Sequence, residues 1–141
     1  MGCRSPHLES LSPLQLLFER ALTLRDTAAL HRAVAPTLIF HAHGDSAVLP
    51  RDQLWQMAQP ILTAFPDVQF HVEEQVRSGE RVAARVLLTG THRGQWKDLA
   101  PTGRAVRVSE MFLCRLANGQ LVECWQEWDE AGLYRQLTAP R

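Results

Sequence analysis

The sequence predicts an α+β domain whose helices pack on the concave face of a curved, cone-shaped antiparallel sheet. Three observations carry that prediction. Apolar residues recur at helical spacing between Leu14 and Phe65, they alternate with polar residues from Val68 onward, and Asn118-Gly119 is the strongest hairpin signal in the chain. Helices gathered toward one end with a run of hairpins behind them argue segregated layers rather than alternating βαβ units. A cone built this way leaves a cavity between helices and sheet.

Ser12-Pro13-Leu14-Gln15 starts the first helix, with Ser at the cap, Pro at the first helical position and Gln closing a capping box. Leu14, Leu17, Phe18, Ala21 and Leu22 share one face of it. Asp26 caps a second helix, Thr27 to Ala35, which Pro36 stops. Thr37 to His43 reads as a strand and Gly44-Asp45-Ser46 as a loop. A third helix runs from Arg51 to Phe65, with Pro60 expected to kink it. Val68 to Val76, Arg81 to Thr91 and Val106 to Leu116 then read as strands, and Glu130 to Leu137 as a closing helix. Residues 1–11 are expected to be a disordered lead-in, 12–138 one domain and 139–141 a tail.

If Asn118-Gly119 is a two-residue turn, Ala117 pairs with Gln120, Cys114 lies opposite Glu123 and Glu110 opposite Glu127. One face of that hairpin carries Met111, Leu113, Val122, Cys124 and Trp128. The other carries Glu110, Phe112, Cys114, Glu123, Trp125, Glu127 and Asp129. Burial favours the first face, so Asp129 reaches the interior only if a β-bulge between Trp125 and Asp129 shifts the strand by one residue. Such a bulge is the expectation. Cys114 and Cys124 should point to opposite faces.

The 141 residues hold 15 basic and 15 acidic side chains, 45% hydrophobic and 21% charged residues, which suits one domain with a real core. That balance excludes the electrostatic footprint of a nucleic-acid binder or a polybasic membrane anchor. No apolar run approaches the roughly 20 residues that span a bilayer, and the first ten residues lack a secretory h-region. Three cysteines without a Cys-x-x-Cys pair indicate neither a disulfide framework nor a zinc site. A cytoplasmic location is the expectation.

Asp129 ends a strand containing Trp125 and Trp128, where aromatic surface favours a neutral carboxyl suited to proton transfer. Its plainer reading is a cap on the last helix, which composition alone favours. His41 and His43 flank Ala42 in a pattern compatible with a divalent metal, but without a firm third ligand they read better as polar groups lining or rimming the cavity. Trp55 and Trp125 fit core or pocket walls, and Arg115 fits either a salt-bridged strand residue or a charge near the pocket. No phosphate loop or dinucleotide fingerprint is present, so no cofactor is expected.

Ala64-Phe65-Pro66-Asp67, Gly90-Thr91-His92 with Gly94, Pro101-Thr102-Gly103, Arg115 with Asn118-Gly119, Glu123-x-Trp125-x-x-x-Asp129 and Gly132-Leu133 with Gln136-Leu137 together closely resemble the SnoaL-like polyketide cyclases of the NTF2-like superfamily. The resemblance covers the chain from the first helix to Leu137. It implies the cone-shaped α+β barrel and, for activity, cofactor-independent intramolecular aldol condensation of a polyketide. It places Asp129 at the position of an acid/base Asp, which reverses the preference for a cap, and His41 at a polar position of the first strand. Asp98, Cys124 and Thr138 depart from residues usual in the family. The expected site is therefore Asp129 and His41 as catalytic groups, with Trp55, Trp125, Glu127, His43 and Arg115 around a small apolar or aromatic carbonyl compound. A double-bond isomerase or a non-catalytic binding module would use the same scaffold. Apolar residues on both faces of the last hairpin suggest that a second subunit covers one of them, a homodimer.

Overall fold

A computed structural model describes residues 11–141; the expected lead-in lies, except for Leu11, outside the described residues. The first helix, α1, begins as Pro13–Gln15 and continues in π-helical form through Leu16–Leu22. The capping box is formed as expected, Gln15 N donating to Ser12 Oγ at 3.1 Å and Ser12 N to Gln15 Oε1 at 3.0 Å. Helix α2 (Thr27–Ala33) is capped by Asp26 and gives way to strand β1 (Val34–Ala42) before Pro36 is reached. Pro36 is accommodated inside β1, where pairing with the neighbouring strand is irregular between Val34 and Ile39 and a missing N–H costs little.

His43 and Gly44 adopt positive φ, 53° and 79°, and form a tight turn into strand β2 (Asp45–Pro50), whose first residues were expected to be a loop. Helix α3 (Gln53–Ala64) contains Pro60. Strands β3 (Gln69–Ser78), β4 (Arg81–Thr91), β5 (Ala105–Ala117) and β6 (Gln120–Trp128) follow, and helix α4 (Glu130–Thr138) closes the chain. The six strands form one sheet in the order β2-β1-β6-β5-β4-β3. It is mixed rather than purely antiparallel, because β1 pairs parallel with β6.

The inner face packs on α1 and α2 through Leu14, Phe18, Ala21 and Leu30, with the Phe18 ring 4.8 Å from Phe112 and 5.7 Å from Phe70. The edge strand β3 is tied to α1: where β3 bulges between Val72 and Glu74, the Val72 amide donates to Glu19 Oε2 at 2.9 Å. The Phe70 amide donates to Thr23 Oγ1 at 2.9 Å. Both bonds occupy edge donors that would otherwise be free for pairing with another chain.

The register of the last hairpin begins as expected, Ala117 opposite Gln120, but a bulge intervenes at once. Leu116 pairs with Leu121 and Arg115 with Glu123, so Val122 is the extra residue. From there Cys114 faces Cys124, Phe112 faces Gln126 and Glu110 faces Trp128. The bulge thus lies near the turn and not between Trp125 and Asp129. It also corrects the two faces. Glu110, Phe112 and Cys114 look inward with Cys124, while Met111 and Leu113 are exposed. Cys114 and Cys124 share the inner face and are both free thiols.

Candidate active site

Between the helices and the inner face of the sheet lies a cavity of about 870 Å³. Its volume falls at the upper end of ordinary ligand pockets. Leu38 and Phe40 of β1, Phe112 of β5, and Leu54 and Ile61 of α3 supply apolar wall, and Trp128 supplies an aromatic one. Trp96, from the loop after β4, meets the Trp128 ring edge-on at 6.1 Å. Toward solvent the lining turns polar, with His43, Asp45, Gln95, Lys97 and Glu130. Lys97 is paired with Glu130 across this rim.

One ionisable side chain is set deep in the apolar wall. Glu110 is 4% exposed, and its Oε1 accepts a bond from Gln126 Nε2 at 3.2 Å. Its Oε2 is buried without a hydrogen-bond partner among the described residues. Burial disfavours the carboxylate and pushes the pKa from 4.5 up to about 7, against a smaller lowering by the Gln126 amide. Glu110 and Gln126 meet because the Val122 bulge brings β6 into step with β5, setting Gln126 beside Phe112 and diagonal to Glu110. A carboxyl with a near-neutral pKa and one free oxygen in an apolar cavity is equipped to take and return a proton at neutral pH.

The residues expected to form the site are dispersed. Of them, His43 alone lines the cavity, where its Nε2 accepts from Trp128 Nε1 at 3.2 Å. Asp129 lies just beyond β6 and caps α4, its Oδ1 accepting from the Gly132 amide at 2.8 Å. A Cβ at Gly132 would sit 2.1 Å from Asp129 Oδ2, so the glycine of that motif makes room for the cap. His41, Trp125 and Arg115 are on the outer face: the His41 ring stacks on Trp125 at 4.6 Å, and Arg115 Nε donates to Glu123 Oε1 at 3.1 Å. Glu127 lines a small outer concavity with His41, and Trp55 packs against the core from α3 without reaching the cavity. The physical reason is strand alternation: Cys124, Gln126 and Trp128 of β6 line the cavity, so Trp125 and Glu127, and His41 paired with Trp125, point outward.

Other motif residues hold the cavity's frame. Asp67 accepts from both the Thr91 amide and hydroxyl, each at 2.7 Å, joining the end of α3 to β4. His92 is fully buried, its Nδ1 accepting from the Thr102 amide at 3.1 Å, which pins the loop that carries Trp96 and Lys97. At Gly94 a Cβ would fall 2.1 Å from the Thr63 carbonyl oxygen.

The model of the SnoaL-like polyketide cyclases matches residues 13–137. This chain belongs to that family. No curated protein matches the sequence. Among solved structures, a candidate SnoaL-like polyketide cyclase from Jannaschia sp. CCS1 is 22% identical and superposes with a TM-score of 0.79, the match covering all of both chains. A candidate polyketide cyclase from Acidithiobacillus ferrooxidans is 23% identical with a TM-score of 0.79, covering 89% of this chain and 91% of that one. IdmH, a candidate polyketide cyclase from Streptomyces antibioticus, is 25% identical with a TM-score of 0.78, covering 90% and 99%. The SnoaL-like chain described here thus has the expected α+β fold, and no helix among its described residues is long and apolar enough to cross a membrane.

Proposed function

We propose that this SnoaL-like protein is an acid/base enzyme for a carbonyl compound, closing a ring by intramolecular aldol condensation, and that Glu110 is its proton-transfer group. The observation that carries this reading is the unpartnered Oε2 of a carboxyl held near neutral pKa inside an apolar cavity. In the forward step Glu110 takes a proton from the carbon α to a carbonyl. The resulting enolate carbon attacks a second carbonyl of the same molecule, a carbon–carbon bond forms, and the new alkoxide takes the proton back from Glu110. Gln126 holds the other oxygen, so the carboxyl presents Oε2 in one orientation. The apolar wall excludes water from the enolate, and Trp128 and Phe112 offer flat surface to a ring system.

The acid/base role that the resemblance assigns to Asp129 passes, in this proposal, to Glu110. His43 borders the ligand at the rim, and the other expected residues act outside the cavity. The same reading includes a homodimer through the β3 end of the outer face, where Val76 is exposed beside the Arg85 and Glu74 side chains, a pair suited to a self-complementary contact.

Glu110→Gln tests the proposal against poly-β-ketone or diketone substrates. Turnover should fall by a factor of about 100 or more, with ligand affinity preserved. Turnover retained in the variant would refute the assignment, and binding without turnover in both forms would favour the non-catalytic reading.

A further inference from the structure

Beside the cavity rim, β1 and β2 carry a second set of polar groups that the acid/base reading leaves unused. Ser46 stands opposite His41 across the tight hairpin, and Ser46 Oγ lies 2.6 Å from His41 Nδ1. His41 Nε2 lies 2.9 Å from Glu123 Oε2 on β6, and Arg115 on β5 holds the other oxygen of Glu123. These bonds from His41 and Arg115 keep the Glu123 carboxyl below its usual range, so it is an ionised acceptor. The proton between the ring and Glu123 therefore belongs to Nε2. In the neutral imidazole Nδ1 is then an acceptor, and the Ser46 hydroxyl donates to it. Stacking on Trp125, 9° from coplanar, fixes the ring in this attitude.

We propose that Ser46, His41 and Glu123 form a second catalytic site, a serine nucleophile relay that cleaves small or aryl esters at the rim of the cavity. The arrangement has the signature of an activated nucleophile: hydroxyl and base in hydrogen-bond reach, with the base oriented by a third group. Two further features separate it from a tie between strands. A concavity of about 250 Å³, bounded by His41, His43, Ser46, Trp125 and Glu127, lies beside the serine, with room for a short acyl group. His43, Asp45 and Ser46 border the large cavity as well, so an ester with an apolar alcohol portion has an apolar wall within reach. His43 also offers a donor. Its Nε2 accepts from Trp128, so the neutral ring carries its proton on Nδ1.

In the reaction Ser46 Oγ attacks the ester carbonyl carbon and its proton passes to His41 Nδ1. The bond from that carbon to the alcohol oxygen breaks, and the alcohol leaves with the proton from His41. Water then attacks the acyl-serine, giving His41 a proton that returns to Ser46 as the carboxylic acid departs.

The test uses the full chain with an alkyl fluorophosphonate, which forms an Oγ–P bond as fluoride leaves, and with 4-nitrophenyl acetate as substrate. Peptide mapping of the unmodified sequence should place the phosphonyl group on Ser46. Ser46→Ala should abolish labelling, His41→Ala should slow it and ester hydrolysis by a factor of about 100 or more, and the exposed Ser78→Ala should change neither. Absence of label on Ser46, hydrolysis unchanged in Ser46→Ala, or labelling of Ser46 that His41→Ala leaves unchanged would each overturn the relay. Mapping in the unmodified chain keeps the test decisive even if a variant folds poorly.

Discussion

Replacing Glu110 by Gln should make the protein more stable at pH 8 and remove most of its stability loss between pH 4.5 and 7. The carboxyl ionises at about 7 in the folded chain against an ordinary value of 4.5, because its environment is apolar. Between those two values the folded state holds a proton that the unfolded state has released, so stability falls as pH rises. Below 4.5 both states are protonated and the full contribution is present. Above 7 both are ionised and it has been lost. A difference of one pH unit between the folded and unfolded pKa is worth about 1.4 kcal/mol, so the gap from 4.5 to about 7 makes the loss across the window about 3 kcal/mol. Gln keeps the size of the side chain and an oxygen for the Gln126 amide, but carries no charge to bury. Urea unfolding of both forms at pH 4.5, 6 and 8 measures the difference directly. A stability difference between the two forms that is the same at all three pH values would refute the account of Glu110 as a buried, titrating acid.

Asp129→Ala should cost about 1 kcal/mol of stability, the usual worth of a helix N-cap, while leaving turnover within a few-fold; a hundredfold loss of turnover would return the acid/base role to Asp129. Gly94→Ala places a methyl against the Thr63 carbonyl, where backbone must move, and should lower the thermal midpoint by several degrees in a melt followed by circular dichroism. Sedimentation should give the mass of a dimer, and Val76→Asp should yield monomer; a monomeric parent protein would contradict the proposed interface.

The helical half of the fold is written in local signals. Ser12, Pro13 and Gln15 announce a capping box that the structure forms bond for bond, and Asp26 caps its helix as expected. Local signals fail where pairing across the chain decides. Asp45–Pro50 has loop-like residues at its start and becomes a strand because a turn of two residues folds it onto β1. The parallel contact of β1 with β6 joins segments far apart in sequence, and no local periodicity reports it.

The site is harder to read, because one inserted residue reverses every side chain beyond it. Val122 bulges near the turn, and from that point Glu110, Phe112 and Cys114, in place of Met111 and Leu113, share the inner face with Cys124 and Gln126. One signal nevertheless points to the interior. Val106, Val108, Phe112 and Cys114 alternate with Arg107, Ser109, Met111 and Leu113, and Glu110 falls in the first series. Its partners there are buried, whereas Met111 and Leu113, both large and apolar, are on the outer face. An acid inside a buried period-two series is worth following even when the opposite face contains large apolar residues. The family motif ending in Asp129 is satisfied structurally, since Gly132 leaves space for the carboxylate that caps α4.

The proposed ring closure depends above all on Glu110 carrying an ionisable proton at neutral pH inside the cavity. Carbon-13 NMR of the side-chain carboxyl groups, with Glu110 assigned by comparison with Glu110→Gln, titrates that proton at its own atom. A midpoint near 7 is the predicted result. A midpoint near 4.5 would show a solvated carboxylate and contradict the account.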